Sequence, residues 1–134
     1  MIDEGGAIKT TLLAIPSITA LTGSGSAARL WPDRVAPLAG YNPTQGIAIA
    51  WATRGGGSLY NRAMMSPRIQ FKVWGADVVT ARQGYAALVD ALDGKSPGLI
   101  RGAILETLGQ PGNEQSVNAG WDYILCFFTI WLVR

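Results

Sequence analysis

Ser66-Pro67-Arg68-Ile69-Gln70-Phe71-Lys72-Val73-Trp74-Gly75 alternates with period two, and the residues that follow do not. Ile69, Phe71 and Val73 fall on one side of an extended chain; Arg68, Gln70, Lys72 and Trp74 fall on the other. Beyond Gly75 the recurrence lengthens to three or four residues through Val78, Arg82, Tyr85, Val89 and Leu92, with Ala81 and Leu88 widening the stripe. A half-buried strand therefore feeds an amphipathic helix through a very short turn. Asp77 suits the N-cap, and Gly94 suits the left-handed position after the last turn.

The same reading extends in both directions. Asp3 or Glu4 opens a first helix whose Ile8, Leu12 and Ile15 form a stripe. Pro16 interrupts it, and Ile18 and Leu21 supply another helical turn. This helix is expected to pack on a sheet, with an interfacial role as the alternative. Gly23–Ala28 reads as a loop, Arg29–Pro32 as a very short extended segment, and Val35–Pro43 as a proline-bearing loop. In Gly46–Thr53, Ile47, Ile49 and Trp51 alternate with Ala48, Ala50 and Ala52, so this is a strand whose small face admits another layer or subunit. Leu99–Leu108 reads as a strand, Gly109–Ser116 as a polar turn region, and Trp121–Val133 as a last strand. That last strand is apolar on both sides, as in a central strand covered on both faces. The expected fold is α+β. Residues 1–134 form a single domain, with a mostly antiparallel or mixed sheet packed against an N-terminal and a central helix.

Composition narrows the function. Apolar residues make up 49% of the 134 residues and charged ones only 15%, below the usual quarter. Either part of the surface is covered by other subunits, or the chain is an ordinary domain rich in Ala and Gly. Histidine is absent and Cys126 is the one cysteine, which removes the commonest general base and any Cys/His zinc site. The nine acids are scattered through caps, turns and polar faces, with no spacing that requires a catalytic pair. No catalytic, cofactor-binding or metal-binding residue is assigned, and the chain is expected not to be an enzyme. No secretory signal is visible in Met1–Glu4, and the apolar C-terminal run is too short for a transmembrane helix.

The charge distribution is uneven. No acid lies between Asp33 and Asp77, an interval that carries Arg34, Arg54, Arg62, Arg68 and Lys72. Such a segment can meet an acidic partner or a nucleic-acid backbone, or be an ordinary solvated face. The run Arg54-Gly-Gly-Gly-Ser58 lacks the Gly-Lys-Ser/Thr ending of a phosphate-binding loop. It reads instead as a hairpin or long loop continuing to Met65. Tyr60, Met64 and Met65 are apolar for a loop and either dock on a neighbour or fold back on their own domain. The candidate interface residues are Arg54, Tyr60, Arg62, Met64, Met65, Arg68 and Lys72.

The order of these segments is similar to one known family. A first helix leads to Arg29-Leu-Trp-Pro32, then a proline-bearing loop, the strand Gly46–Thr53, a glycine-containing loop and the strand Arg68–Trp74. The helix ending Ala87-Leu-Val-Asp-Ala-Leu-Asp-Gly94 and two further strands complete the chain. This resembles the tail terminator, or tail-completion, proteins of long-tailed bacteriophages. The resemblance implies a structural virion protein, assembled in the host cytoplasm, that forms a hexameric ring at the head-proximal end of the tail. Its implied partners are further copies of itself, the major tail tube protein and the head-completion or connector proteins. DNA only passes through the ring, and no membrane or cofactor is involved. Two alternatives stand beside it: a head-completion or neck protein of the same assembly, and a small nucleic-acid-binding module using the basic interval.

Overall fold

The computed structural model describes residues 3–58, 64–114 and 121–133. The elements follow in the order α1 (Glu4–Leu13), α2 (Pro16–Thr22), β1 (Leu30–Pro32), β2 (Ala48–Ser58), β3 (Met64–Trp74), α3 (Val78–Leu92), β4 (Ile100–Glu114) and β5 (Trp121–Val133). Short 3₁₀ turns at Gly25–Ala27 and Pro43–Gln45 punctuate the loops. The five strands form one mixed sheet in the order β1-β2-β3-β5-β4. Only the β1–β2 pair is parallel. The fold is α+β.

Local chemistry accounts for the helices. The Asp3 carboxylate accepts from the Gly6 amide at 3.0 Å and opens α1. Pro16 occupies the first turn of α2, where its missing amide costs nothing. The Asp77 carboxylate accepts from the Thr80 amide at 2.7 Å and opens α3. All three helices lie on one face of the sheet. There Ile8, Leu12, Ile18, Leu88 and Leu92 pack with Ile49, Trp51, Ile69, Phe71, Val73, Cys126, Phe128 and Ile130. Phe71 is the centre of this core, between Trp51 with ring centroids 6.0 Å apart and Phe128 at 5.5 Å.

The alternation in β2 and β3 is as the sequence predicts, but three boundaries and two faces differ. The segment expected to be a loop from Arg54 to Met65 is mostly strand. β2 runs to Ser58 and β3 starts at Met64, making a hairpin whose residues 59–63 lie outside the described residues. The glycines that suggested a loop build a bulge instead, since the register shifts between Thr53 and Gly56. Gly56 has φ 118°, and a Cβ there would sit 2.5 Å from the Ser66 carbonyl oxygen. The bulge faces Pro67, which has no amide to give to the ladder. Likewise, the expected polar turn region from Gly109 is strand as far as Glu114, because β4 follows β5 through three further register shifts. Residues 115–120 are outside the described residues.

The buried stripe of α3 is Ala81, Gly84, Leu88 and Leu92. It is rotated from the expected one: Arg82 is exposed, and Val78, Tyr85 and Val89 are half-buried flanks. The pivot is Gly84. A Cβ there would lie 2.6 Å from Val73 Cγ1 and 2.8 Å from Ile47 Cγ2, so the helix backbone itself rests on the sheet. Periodicity in apolar side chains cannot register a residue that packs by lacking one. The second difference concerns β5. Helices cover Ile124, Cys126, Phe128, Ile130 and Leu132, whereas Tyr123, Leu125, Phe127, Thr129 and Trp131 are only half-buried. The strand is central in the sheet but covered by helices on one face alone.

Two stability predictions follow from this packing. Phe71→Ala is expected to lower unfolding free energy by roughly 3–5 kcal/mol in urea titration, the range for a fully buried aromatic. A loss under about 1 kcal/mol contradicts its placement, because surface substitutions stay within ~0.5 kcal/mol. Gly84→Ala, normally stabilising in a helix, should instead cost about 1–3 kcal/mol through overpacking against Val73 and Ile47.

Candidate functional site

The face of the sheet away from the helices has two parts. At the β1-β2-β3 end, the loop between β1 and β2 folds over it. Trp31, Tyr41, Ala48, Ala50 and Trp74 form a second buried cluster, flanked by Trp121 and Tyr123. Tyr41 stands edge-on to Trp31 at 5.0 Å and to Trp121 at 5.5 Å. The alanines that admit another layer thus receive this chain's own loop. The Tyr41 hydroxyl donates to the Gly46 carbonyl at 2.6 Å. The short turn beneath it is fixed by Asn42, whose side chain accepts from the Thr44 amide. Arg29 braces the other side, donating from Nε to the Ile47 carbonyl and from its guanidinium to the Leu21 carbonyl. A cleft of about 410 Å³ beside this loop is lined by Lys9, Arg29, Trp31 and Tyr41. The polar groups of Arg29 and Tyr41 are already engaged, so the cleft belongs to the architecture of the roof.

The remainder of the face, over β3, β5 and β4, carries no second layer among the described residues. The register aligns Arg68 with Thr129 and Ile104, Gln70 with Phe127 and Thr107, and Lys72 with Leu125 and Gln110. Cationic stems cover the aromatic rings here. The Arg68 guanidinium lies 4.0 Å from the Phe127 centroid, and the Lys72 ammonium lies 4.5 Å from that of Tyr123 and 5.9 Å from that of Trp74. Arg68 also pairs with Glu106 at 3.5 Å, and Arg54 donates to the Gln70 amide oxygen at 3.0 Å. Ile104 is 52% exposed. The result is an apolar, aromatic surface with a cationic veneer, carrying Arg54, Arg68 and Lys72 against Glu106.

Of the interface residues proposed from sequence, Arg54, Arg68 and Lys72 come together on this face. Tyr60 and Arg62 lie outside the described residues. Met64 and Met65 are not loop residues: both begin β3, pairing with Val133 and Leu132, and Met65 packs against the helix-side core. Sequence reasoning missed Phe127, Trp131 and Ile104 as members of the surface. The aromatic character of β5 was visible, but it read as burial under a second layer. Cys126 faces the helices, fully buried, and burial pushes its thiol up to about 12. A buried thiol held in this way is not an activated nucleophile.

No protein-family model matches the sequence, and no curated protein matches it. Among solved structures, the chain superposes on one from the "Virion of native gene transfer agent (GTA) particle". The TM-score is 0.66 at 18% sequence identity, over 98% of this chain and 95% of that one. The likeness extends through the whole topology, so the two chains share a fold.

The roof makes a prediction about alkaline pH. Burial pushes the Tyr41 phenol up to about 12, with the nearby Arg29 charge acting in the opposite direction. Its folded value is above the unfolded one near 10. Its contribution to stability is therefore complete below pH 10 and lost as pH rises through about 12. Tyr41→Phe should lower stability at pH 8 through the lost bond to Gly46, and should lose less between pH 10 and 12 than the parent protein. An equal alkaline loss in both would show that Tyr41 is not responsible.

Proposed function

We propose that this protein is a structural component of a phage-like virion, acting without a catalytic step. It closes the head-proximal end of a tail tube as a ring, ends tube growth and presents the surface that meets the head. The observation that carries this reading is the open sheet face: among the described residues, Phe127, Leu125, Trp131 and Ile104 have no second layer over them, beside three cations. An unroofed apolar surface of this kind is characteristic of a protein that completes its packing in an assembly. The fold shared with a chain of a gene transfer agent virion supports the same class of particle. The order of elements supports the terminator position within it. Localisation in the virion, with the tail tube protein and head-completion proteins as neighbours, belongs to this reading. A neck protein one layer nearer the head is the second reading, supported by the same face and fold.

Cryo-electron microscopy of tails labelled on this chain tests the assignment. A single disc at the head-proximal end is the expected result, and deletion of the gene should leave tubes of uncontrolled length that do not join heads. Label distributed along the tube, or absent from particles, overturns the proposal. Label on the head side of the joint with tubes of normal length favours the neck position.

A further inference from the structure

The open face and the outer side of α3 are complementary, and they lie on opposite sides of the molecule with the sheet and core between them. The α3 residues farthest from the buried stripe are Val79, Gln83, Ala86 and Asp90, spaced by three or four so that they form one ridge. Val79 is 63% exposed. Arg82 lies off the ridge, toward Leu108 and Tyr85. The ridge ends in acid: Asp90 and Asp93 sit in and just after the last turn, where the helix dipole is also negative. Lys95 donates to the Asp90 backbone carbonyl oxygen, and Asp90 is exposed. Asp93 accepts from the Leu105 amide at 2.9 Å and is exposed otherwise. Two carboxylates and the dipole outweigh the one lysine. On the opposite surface, Arg54, Arg68 and Lys72 outweigh Glu106. Each surface also holds an exposed aliphatic side chain, Val79 on one and Ile104 on the other.

We propose that the α3 ridge of one copy of this chain seats on the open sheet face of the next, with Asp90 toward Arg68 and Val79 and Ala86 over Phe127, Thr129 and Ile104. The occupant of the open face is therefore a second copy. Because the two surfaces differ and point in opposite directions, the contact is head-to-tail and a two-fold dimer does not satisfy it; with a closing rotation between successive copies it makes a ring, and without one an open filament. The pairing rests on the ring reading above and names its interface. Single-stranded nucleic acid is a poorer occupant. Stacked bases need bare ring faces, and here Arg68 already covers Phe127 and Lys72 covers Tyr123.

The test is a full-length chain carrying Ala86→Cys and Thr129→Cys, oxidised both as concentrated purified protein and in assembled tails. Cys126 is buried and its thiol is held protonated, so it does not compete. The expected result is a ladder of cross-linked multimers that ends at one closed species. Either single cysteine variant should stay monomeric, with an unchanged melting curve that shows normal folding. Arg68→Glu in the double-cysteine background should cut cross-linking at least tenfold, and adding Asp90→Arg should restore it. Dimers from a single cysteine variant overturn the proposal in favour of a two-fold contact. Loss of cross-linking on addition of oligothymidylate at low salt overturns it in favour of a nucleic-acid face. Discs visible on tails without any 86–129 link overturn this contact and leave the ring standing. A ladder from the purified chain, with no disc on tails, supports the contact and removes the terminator assignment.

Discussion

Phe71 is the residue on which the two faces of this sheet depend. It lies fully buried at the middle of β3, touching Trp51 of β2 and Phe128 of β5, so one side chain holds three adjacent strands to a common core. Because side chains alternate along the unbulged stretch of β3 from Arg68 to Trp74, fixing Phe71 toward the helices fixes Gln70 and Lys72 away from them. The register then carries this choice into β5, where Cys126 follows Phe71 inward and Phe127 and Leu125 go outward. A one-residue slip would bury Lys72 and expose Phe71. The cationic, aromatic face is thus a direct consequence of core packing, and it is as strongly specified as the core.

The outward face is uneven because, among the described residues, the loop between β1 and β2 covers one end of it. The segment between β1 and β2 brings Tyr41 onto Trp31 and Trp121 and seals the alanine-lined corner. It stops short of Phe127 and Trp131. The fit is not perfect under the roof: Trp74 Nε1 is buried without a hydrogen-bond partner among the described residues. That cost is tolerated where five rings and two alanines pack together. Beyond the roof, long cationic side chains lie across the rings of Phe127 and Tyr123.

How much of this was legible in the sequence follows from which signals are local. The β2 and β3 alternation, the Asp77 cap and the strand–turn–helix junction were all readable, because each is decided by neighbours within a few residues. The rotation of α3 was not, because its closest approach to the sheet is made by Gly84, which has no side chain to count. The extent of β2 and β4 was not, because glycine and proline there serve bulges that exist only in the presence of the partner strand. The face of β5 was misread for a different reason. Tyr123, Leu125 and Phe127 have the composition of a buried face, and only three-dimensional register shows that Arg68 and Lys72 cover two of those rings.

The candidate surface was half legible for the same reason. Arg54, Arg68 and Lys72 stood out because the interval around them lacks acids, and they do share a face. Their apolar partners come from β5 and β4, far away in sequence, and nothing local links them. The functional consequence comes from their combination. A cation alone on a sheet is a solvated charge, and an aromatic residue alone is a packing site. A cation lying on an aromatic ring beside an exposed isoleucine joins charge to apolar area in one place. In the proposed assembly such a surface would offer a partner charge and shape at once.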